Sequence, residues 1–396
     1  MKAALLGHGT VGSGVADILL DSAGKVAADA GRPIELKYIL DLREFPDLPY
    51  AERFVKEFST IENDPEISVV IEAIGGLFPA YDFVKRSLES GKSVVTSNKE
   101  LIAEKGAELF EIAEEKGANL FYEAAVGGTI PVIRALATSF GGAEIKRIAG
   151  ILNGTTNYIL TAMKKDGVSY ETALAEAQKL GYAEADPTAD VSGLDCCRKI
   201  AILASLAWGK NVAPEKVSVT GIDGLSLEDI ELAENLGYSV KLIGQAEKSE
   251  NGLSVSVSPM LIPKGNLLSS VDDVFNAVLI STKTNGDTVF YGRGAGKLPT
   301  AAAVVADVIE AVKTEKTRKE FIWSTAAESG LVPAKSRYFM RFFGKTDKSF
   351  LLYAETFISS GKRCFISRPL FEHEAHELEK NVLEHGGTLT KIPLFE

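Results

Sequence analysis

The chain has 396 residues, 45% hydrophobic and 24% charged, an ordinary mix for a soluble globular protein too long for one core. A net charge of −11 argues against a general nucleic-acid binder, because phosphate binding needs a positive field. No apolar run reaches the ~18 residues of a membrane-spanning helix, and the stretch Ala3–Gly7 is too short for an export signal.

Lys2 to Leu6 reads as a buried strand that enters Gly7-His8-Gly9-Thr10-Val11-Gly12, a GxGxxG, and then a helix reaching to about Ala30. Further strands are expected at Ile34–Leu40, Ser68–Ile74, Lys92–Thr96 and Asn119–Tyr122, with helices at Ala80–Ser90 and Glu100–Lys116 between them. This alternation implies parallel βαβ units, so residues 1–135 are expected to form a Rossmann domain, a doubly wound parallel sheet. From about Gly142 the pattern changes. Asn153-Gly154-Thr155-Thr156-Asn157-Tyr158 is a polar turn feeding a helix, followed by helices Ser169–Leu180 and Val191–Trp208. Strands Ser239–Glu247, Leu253–Ser258 and Val278–Thr284 complete an α+β domain with one open sheet, residues 136–296. Gly292-Arg293-Gly294-Ala295-Gly296 leads into a helix over about 297–315 that is expected to pack back on the first domain. In the tail, 335–396, strands are expected at Arg337–Phe343, Arg363–Ser367 and Thr388–Phe395, a strand or helix at Phe350–Ser359 and a helix at Glu372–His385.

Two regions carry chemistry. In the glycine loop, Gly7 permits the tight turn, Gly9 lets a pyrophosphate approach the backbone, and Gly12 allows close helix–strand packing, while the helix start at Thr10 and Val11 offers free N–H groups. Asp41, after the second strand, suits a ribose 2′-hydroxyl and favours NAD; Arg43 suits a 2′-phosphate and leaves NADP open. The second region, Gly181–Lys199, gathers Glu184, Asp186, Asp190, Asp195 and Lys199. Asp195 and Lys199 are four apart and share one helix face at the edge of an apolar run. Such a pair is ordinarily a surface ion pair; the cofactor motif elsewhere in the chain favours the functional reading. Cys196, Cys197 and Cys364 form no CxxC and no even framework, which fits a reduced cytoplasm.

The motifs resemble those of homoserine dehydrogenase. The matches are ordered: Gly7–Gly12, Thr96-Ser97-Asn98-Lys99, Glu123-Ala124-Ala125-Val126-Gly127-Gly128, the run Ile151–Leu160, Gly181–Lys199, and Gly294-Ala295-Gly296. The resemblance implies NAD- or NADP-dependent interconversion of L-homoserine and L-aspartate 4-semialdehyde by hydride transfer, and a homodimer formed through the second domain's sheet. It implies Lys199 as proton donor, with Lys99 also essential and Asp195 orienting Lys199 or a water. Glu184 and Asp190 suit the substrate ammonium, while Thr155 and Tyr182 add hydrogen bonds. Ser97 and Gly296 join the cofactor set. Backbone carbonyls of Glu123, Val126, Gly128 and Ile130 are implied to hold a monovalent cation, sodium. Thr129 stands where the family often has glycine, and Arg293 replaces a proline before Gly294. The tail resembles a shortened ACT-type module of ferredoxin-like fold; the usual RPG turn is replaced by Gly344-Lys345-Thr346-Asp347, which argues against threonine feedback and fits an assembly role at least as well. Two rival readings fit less well: another aldehyde or amino-acid dehydrogenase leaves the four charged residues Glu184, Asp190, Asp195 and Lys199 unexplained, and a dinucleotide-sensing regulator has no need of Lys99.

Overall fold

The computed structural model describes residues 1–315, 317, 322–328, 330–344, 352–358 and 364–396. The chain divides into two units. The first comprises Met1–Ile145, Arg198–Lys216 and Asn276–Ser329; the second comprises Lys146–Cys197, Val217–Phe275 and Gly330–Glu396.

In the first unit, strands β1 (Lys2–Leu6), β2 (Glu35–Leu40), β3 (Phe54–Val55), β4 (Ile67–Glu72), β5 (Ser93–Thr96) and β6 (Leu120–Phe121) form a parallel sheet of order β3-β2-β1-β4-β5-β6. Their runs of Val, Ile, Leu and Ala are largely buried, as a helix-covered parallel sheet requires. Leu6 pairs with both Leu40 and Glu72, so the carboxyl ends of β1, β2 and β4 are level. The order reverses between β1 and β4, and ligands bind at such a switch point. The two-residue strand β3 is too short to show in the sequence pattern. The expected long first helix is two helices, Thr10–Asp21 and Ala23–Ala30, interrupted at Ser22. The helix expected over about 297–315 runs from Lys297 to Lys313 and packs on the first helix of the chain. A Cβ at Gly14 would lie only 2.9 Å from the Ala301 Cβ, which is why the two axes approach so closely.

The second unit is built on a long antiparallel hairpin, Tyr238–Ser249 with Gly252–Pro263. The strand Ile145–Ile151 pairs with its first arm from Arg147 to Gly150, and Ser218–Val219 lies parallel to its second arm. Helices Gly154–Asp166 and Tyr170–Lys179 belong to this unit. The helix expected from Val191 to Trp208 is instead a short helix Thr188–Val191 and a longer one, Leu194–Trp208. Gly193, at φ +87°, makes the break, because only glycine enters that region without strain. In the tail, strands Ala354–Phe357, Cys364–Ser367, Tyr338–Phe343 and Thr388–Pro393 form an antiparallel sheet in that order. The helix Glu372–Glu384 contributes Leu378 and Val382 to a core with Met340 and Phe365. The tail is tied to the rest of its unit: the Arg341 guanidinium donates to Asp229 at 2.8 Å, and Ser218 donates to Glu372 at 2.8 Å. Lys345, Thr346 and Asp347, which stand in place of the RPG turn, lie outside the described residues. Among the described residues no helix is long and apolar enough to cross a membrane.

Candidate active site

The glycine loop has the shape a pyrophosphate needs. Gly7 sits at φ +91°, and a Cβ there would lie 2.9 Å from the Ala73 carbonyl oxygen. At Gly12 a Cβ would collide with the Gly7 oxygen, so no larger residue lets the loop close. Gly9 faces open space. It also stands at the start of the helix Thr10–Asp21 with no side-chain cap, so the first N–H groups of that helix remain for an anion. These residues fit a dinucleotide.

The loop opens onto a cleft of about 380 Å³, whose walls include Gly9, Thr10, Ser97, Lys99 and Lys199. Lys99 and Lys199, far apart in sequence, thus line the same cleft. Asn98 caps the helix Lys99–Lys116 by accepting a hydrogen bond from the Leu101 N–H at 3.0 Å, which fixes where Lys99 emerges. The residue beside each lysine joins the two elements: the Arg198 guanidinium meets the Glu100 carboxylate at 2.8 Å. Gly294, Ala295 and Thr300 also line the cleft. Gly296 does not; at φ +128° it is the N-cap of the helix Lys297–Lys313.

Glu72, fully buried at the end of β4, was missed by sequence reasoning. Its carboxylate accepts from the Ile74 and Gly75 N–H groups at 2.7 and 3.1 Å and from the Thr96 hydroxyl. It thereby shapes the Ile74–Gly76 turn on the cleft wall. Burial pushes this carboxyl above its ordinary range, against the pull of those donors.

A second cavity of about 570 Å³, lined by Gly7, Asp41, Arg43, Lys56 and Pro79 among others, continues from the end of β2. Asp41 accepts from the His8 N–H at 2.8 Å, and from Arg43 through its N–H at 2.9 Å, Nε at 3.0 Å and Nη2 at 2.8 Å. The Arg43 guanidinium, first among these, holds the Asp41 carboxyl far below the usual carboxylate range. Lys56, also missed, pins the same turn by donating to the carbonyls of Asp41, Leu42 and Arg43 at 3.2, 3.0 and 2.7 Å. Nothing in the local pattern around Lys56 marks it; only the fold brings it to β2.

The turn from Glu123 to Ile130 is held from both sides. The Glu123 carboxylate accepts from the Ile133 and Arg134 N–H groups at 2.9 Å each, and the Glu123 N–H donates to Asp307 at 2.8 Å. Burial, with the Glu123 charge next, raises Asp307 to about 7. Gly127 and Gly128 both have positive φ, and a Cβ at Gly128 would lie 2.7 Å from Gly294. Thr129 and Arg293 meet here: the Thr129 N–H and hydroxyl both donate to the Arg293 carbonyl, at 3.3 and 3.2 Å. The Glu123 carbonyl accepts from the Val126 N–H at 3.4 Å and the Ile130 carbonyl from the Val132 N–H at 2.8 Å.

The remaining predicted residues lie in the second unit. Thr155 donates to the Tyr182 carbonyl at 2.6 Å, and the Tyr182 ring, 43% exposed, stands edge-on to Tyr158 with centroids 5.0 Å apart. Glu184 is exposed, its carbonyl accepting from Gln178 at 3.1 Å. Asp190 and Asp195 both accept from the side-chain amide of Asn153, at 2.7 and 2.8 Å. Asp195 lies one turn before Lys199 on the helix Leu194–Trp208. A separate cavity of about 330 Å³, lined by Ser218, Glu372, His376 and Lys391 among others, contains none of the predicted site residues.

Known proteins match this pattern. A family model described as homoserine dehydrogenase matches residues 131–309, and one described as the homoserine dehydrogenase NAD binding domain matches residues 7–123. The homoserine dehydrogenase of Bacillus subtilis is 44% identical over 317 residues, covering 79% of this chain and 73% of that one. The chain belongs to the homoserine dehydrogenase family. The homoserine dehydrogenase of Pseudomonas aeruginosa is 38% identical over 388 residues, covering 95% of this chain and 89% of its own, so the likeness extends into the tail. Among solved structures, a homoserine dehydrogenase from Thiobacillus denitrificans matches with a TM-score of 0.91 at 33% identity, covering 100% of this chain and 98% of that one. A hyperthermophilic archaeal homoserine dehydrogenase in complex with NADPH matches with a TM-score of 0.67 at 27% identity, covering 78% and 97%. As a member of this family, the protein is a nicotinamide-dependent oxidoreductase that interconverts L-homoserine and L-aspartate 4-semialdehyde.

Proposed function

We propose that Lys199 is the proton donor as this enzyme reduces L-aspartate 4-semialdehyde to L-homoserine, the activity of its family in threonine, methionine and isoleucine biosynthesis. The observation that carries the reading is the shared cleft: Lys99 and Lys199 line it together with the glycine loop. A bound nicotinamide supplies the hydride for the aldehyde carbon, or takes it back in the reverse direction. Lys199 gives a proton to the developing alkoxide, and in homoserine oxidation removes it. Asp195, one helical turn earlier, orients the ammonium of Lys199 or a water beside it. Lys99, at the carboxyl end of β5, supplies a second cation for the substrate.

Glu184 and Asp190 receive the substrate ammonium through charge-assisted hydrogen bonds, with Thr155 and Tyr182 completing the amino-acid contacts. The Thr155 hydroxyl already donates to the Tyr182 carbonyl, so it offers the substrate a lone pair rather than a proton. For the cofactor, Asp41 favours NAD, because its ionised carboxylate accepts from a ribose hydroxyl and repels a 2′-phosphate. The carbonyls of Glu123, Val126, Gly128 and Ile130 suit a sodium ion, which would brace the turn against Gly294. A homodimer and a cytoplasmic location complete the proposal.

The test is direct. Purified enzyme is mixed with L-homoserine and NAD or NADP at alkaline pH, and reduced nicotinamide is followed by absorbance. Turnover with NAD exceeding that with NADP is expected; no turnover with either would end the proposal.

A further inference from the structure

Asn153 stands where the strand Ile145–Ile151 gives way to the helix Gly154–Asp166, and it is 5% exposed. Its side-chain oxygen caps that helix, accepting from the Thr156 N–H at 2.8 Å and the Thr156 hydroxyl at 3.0 Å. With the oxygen committed, the NH₂ group must point the other way. It donates one hydrogen to Asp190 Oδ1 at 2.7 Å and the other to Asp195 Oδ2 at 2.8 Å. Both hydrogens of the amide are used, and each goes to a carboxylate on a different element.

Those elements are the short helix Thr188–Val191 and the first turn of Leu194–Trp208, separated by Ser192 and Gly193. Their backbone is fixed from the other side. The Ile222 N–H donates to the Val191 carbonyl at 2.9 Å, and a Cβ at Gly221 would collide with the same oxygen. This contact sets where the segment runs. The amide draws both carboxylates toward one point, and its own direction is set by the helix cap.

We propose that Asn153 is a positioning residue that couples Asp190 and Asp195 into one unit. Two carboxyl groups converge here and Asp195 is 2% exposed, so hydrogen-bond donors are needed to hold them close together. Asn153 supplies both donors from a single group without itself carrying charge. The inference rests on the assignment of Asp190 and Asp195 to the reaction.

Asn153→Asp tests it, because Asp is as good an N-cap as Asn but has no N–H to donate. Steady-state kinetics are measured with homoserine and with cofactor as varied substrates. The KM for homoserine is expected to rise roughly 10- to 100-fold, the loss when a buried carboxylate loses a hydrogen-bond donor, while the KM for cofactor stays within about twofold. In an Asp190→Asn background, adding Asn153→Asp is expected to cost less than about threefold more, since residues acting as a unit are not additive. Asn153→Ser, which also keeps the cap, provides the same comparison if the Asp variant does not fold. A homoserine KM unchanged in a folded, cap-retaining variant would overturn the inference, as would effects that simply multiply. Wild-type kinetics in Asp190→Asn would remove the assignment of that acid and this inference with it. Loss in Asp190→Asn beside wild-type kinetics in Asn153→Asp would remove this inference alone.

Discussion

Replacing Asp41 by Ser is expected to reverse the cofactor preference. The Asp41 carboxylate is almost fully buried, with 9% of its side chain exposed, and is held by the His8 N–H and by Arg43, whose side chain is 61% exposed. A hydrogen bond from a ribose hydroxyl to this charged acceptor contributes about 2 kcal/mol, or roughly 30-fold in kcat/KM for NAD. The same carboxylate opposes a 2′-phosphate: two unit charges about 4 Å apart near a protein surface repel by about 4 kcal/mol before salt screening. Asp41→Ser removes both effects and releases the Arg43 guanidinium to pair with a phosphate. The ratio of kcat/KM for NAD to that for NADP should therefore fall by at least about 100-fold. The assay is homoserine oxidation with each cofactor varied at saturating homoserine, repeated at low and high salt. The NADP gain should shrink as salt is added, because Arg43 is exposed. If both cofactors lost activity equally, Asp41 would be ordering the turn rather than reading the ribose, and the reasoning would be refuted.

Two further expectations concern the second unit. Lys241, 1% exposed, donates to Asn157 at 3.2 Å and Asp272 at 3.0 Å; Lys241→Ala should destabilise that unit by about 3 kcal/mol in chemical denaturation, the cost of stranding buried Asn157 and half-buried Asp272. Burial holds the Lys241 ammonium below its usual 10.5, so the unfolded chain keeps the proton to higher pH than the fold does. Stability contributed by this group accordingly rises as pH climbs toward 10.5 and is lost as pH falls through the lowered native value, so the melting-temperature gap between wild type and Lys241→Ala should widen between neutral and alkaline pH. A gap that narrowed would contradict the sign. At Gly193, φ +87° and a Cβ only 3.0 Å from Val219 Cγ1 predict that Gly193→Ala costs about 2 kcal/mol and lowers kcat/KM for homoserine, since the break it enforces separates Asp190 from Asp195. An alanine variant as stable and active as wild type would show that the break is not needed.

The parts of the site legible in the sequence are those written locally. The glycine loop follows a strand and opens a helix, so the tight turn at Gly7 and the close approach at Gly12 can be read from spacing alone. Lys99 follows β5 and Asp41 follows β2, so strand ends are enough to place them. What could not be read depends on groups meeting across the fold. Glu72 looks like the polar end of an apolar strand until the Ile74 and Gly75 N–H groups turn back onto it. Lys56 is one lysine among many until it reaches three carbonyls beyond β2. Arg198, adjacent to Lys199, gives no sign in the sequence that it binds Glu100, adjacent to Lys99. Asn153 is legible as a helix cap, but its second role depends on two acids far along the chain. The apolar spacing carries the expected helix back to Val191 because it continues through Gly193, where backbone freedom rather than side-chain pattern decides the outcome.

The proton-donor assignment is tested most directly by Lys199→Met. With L-aspartate 4-semialdehyde and reduced cofactor, kcat should fall by about 100-fold or more, the typical contribution of a positioned general acid, while the cofactor dissociation constant measured by nicotinamide fluorescence stays within about twofold. A kcat within about threefold of wild type, at unchanged cofactor affinity, would show that another group delivers the proton.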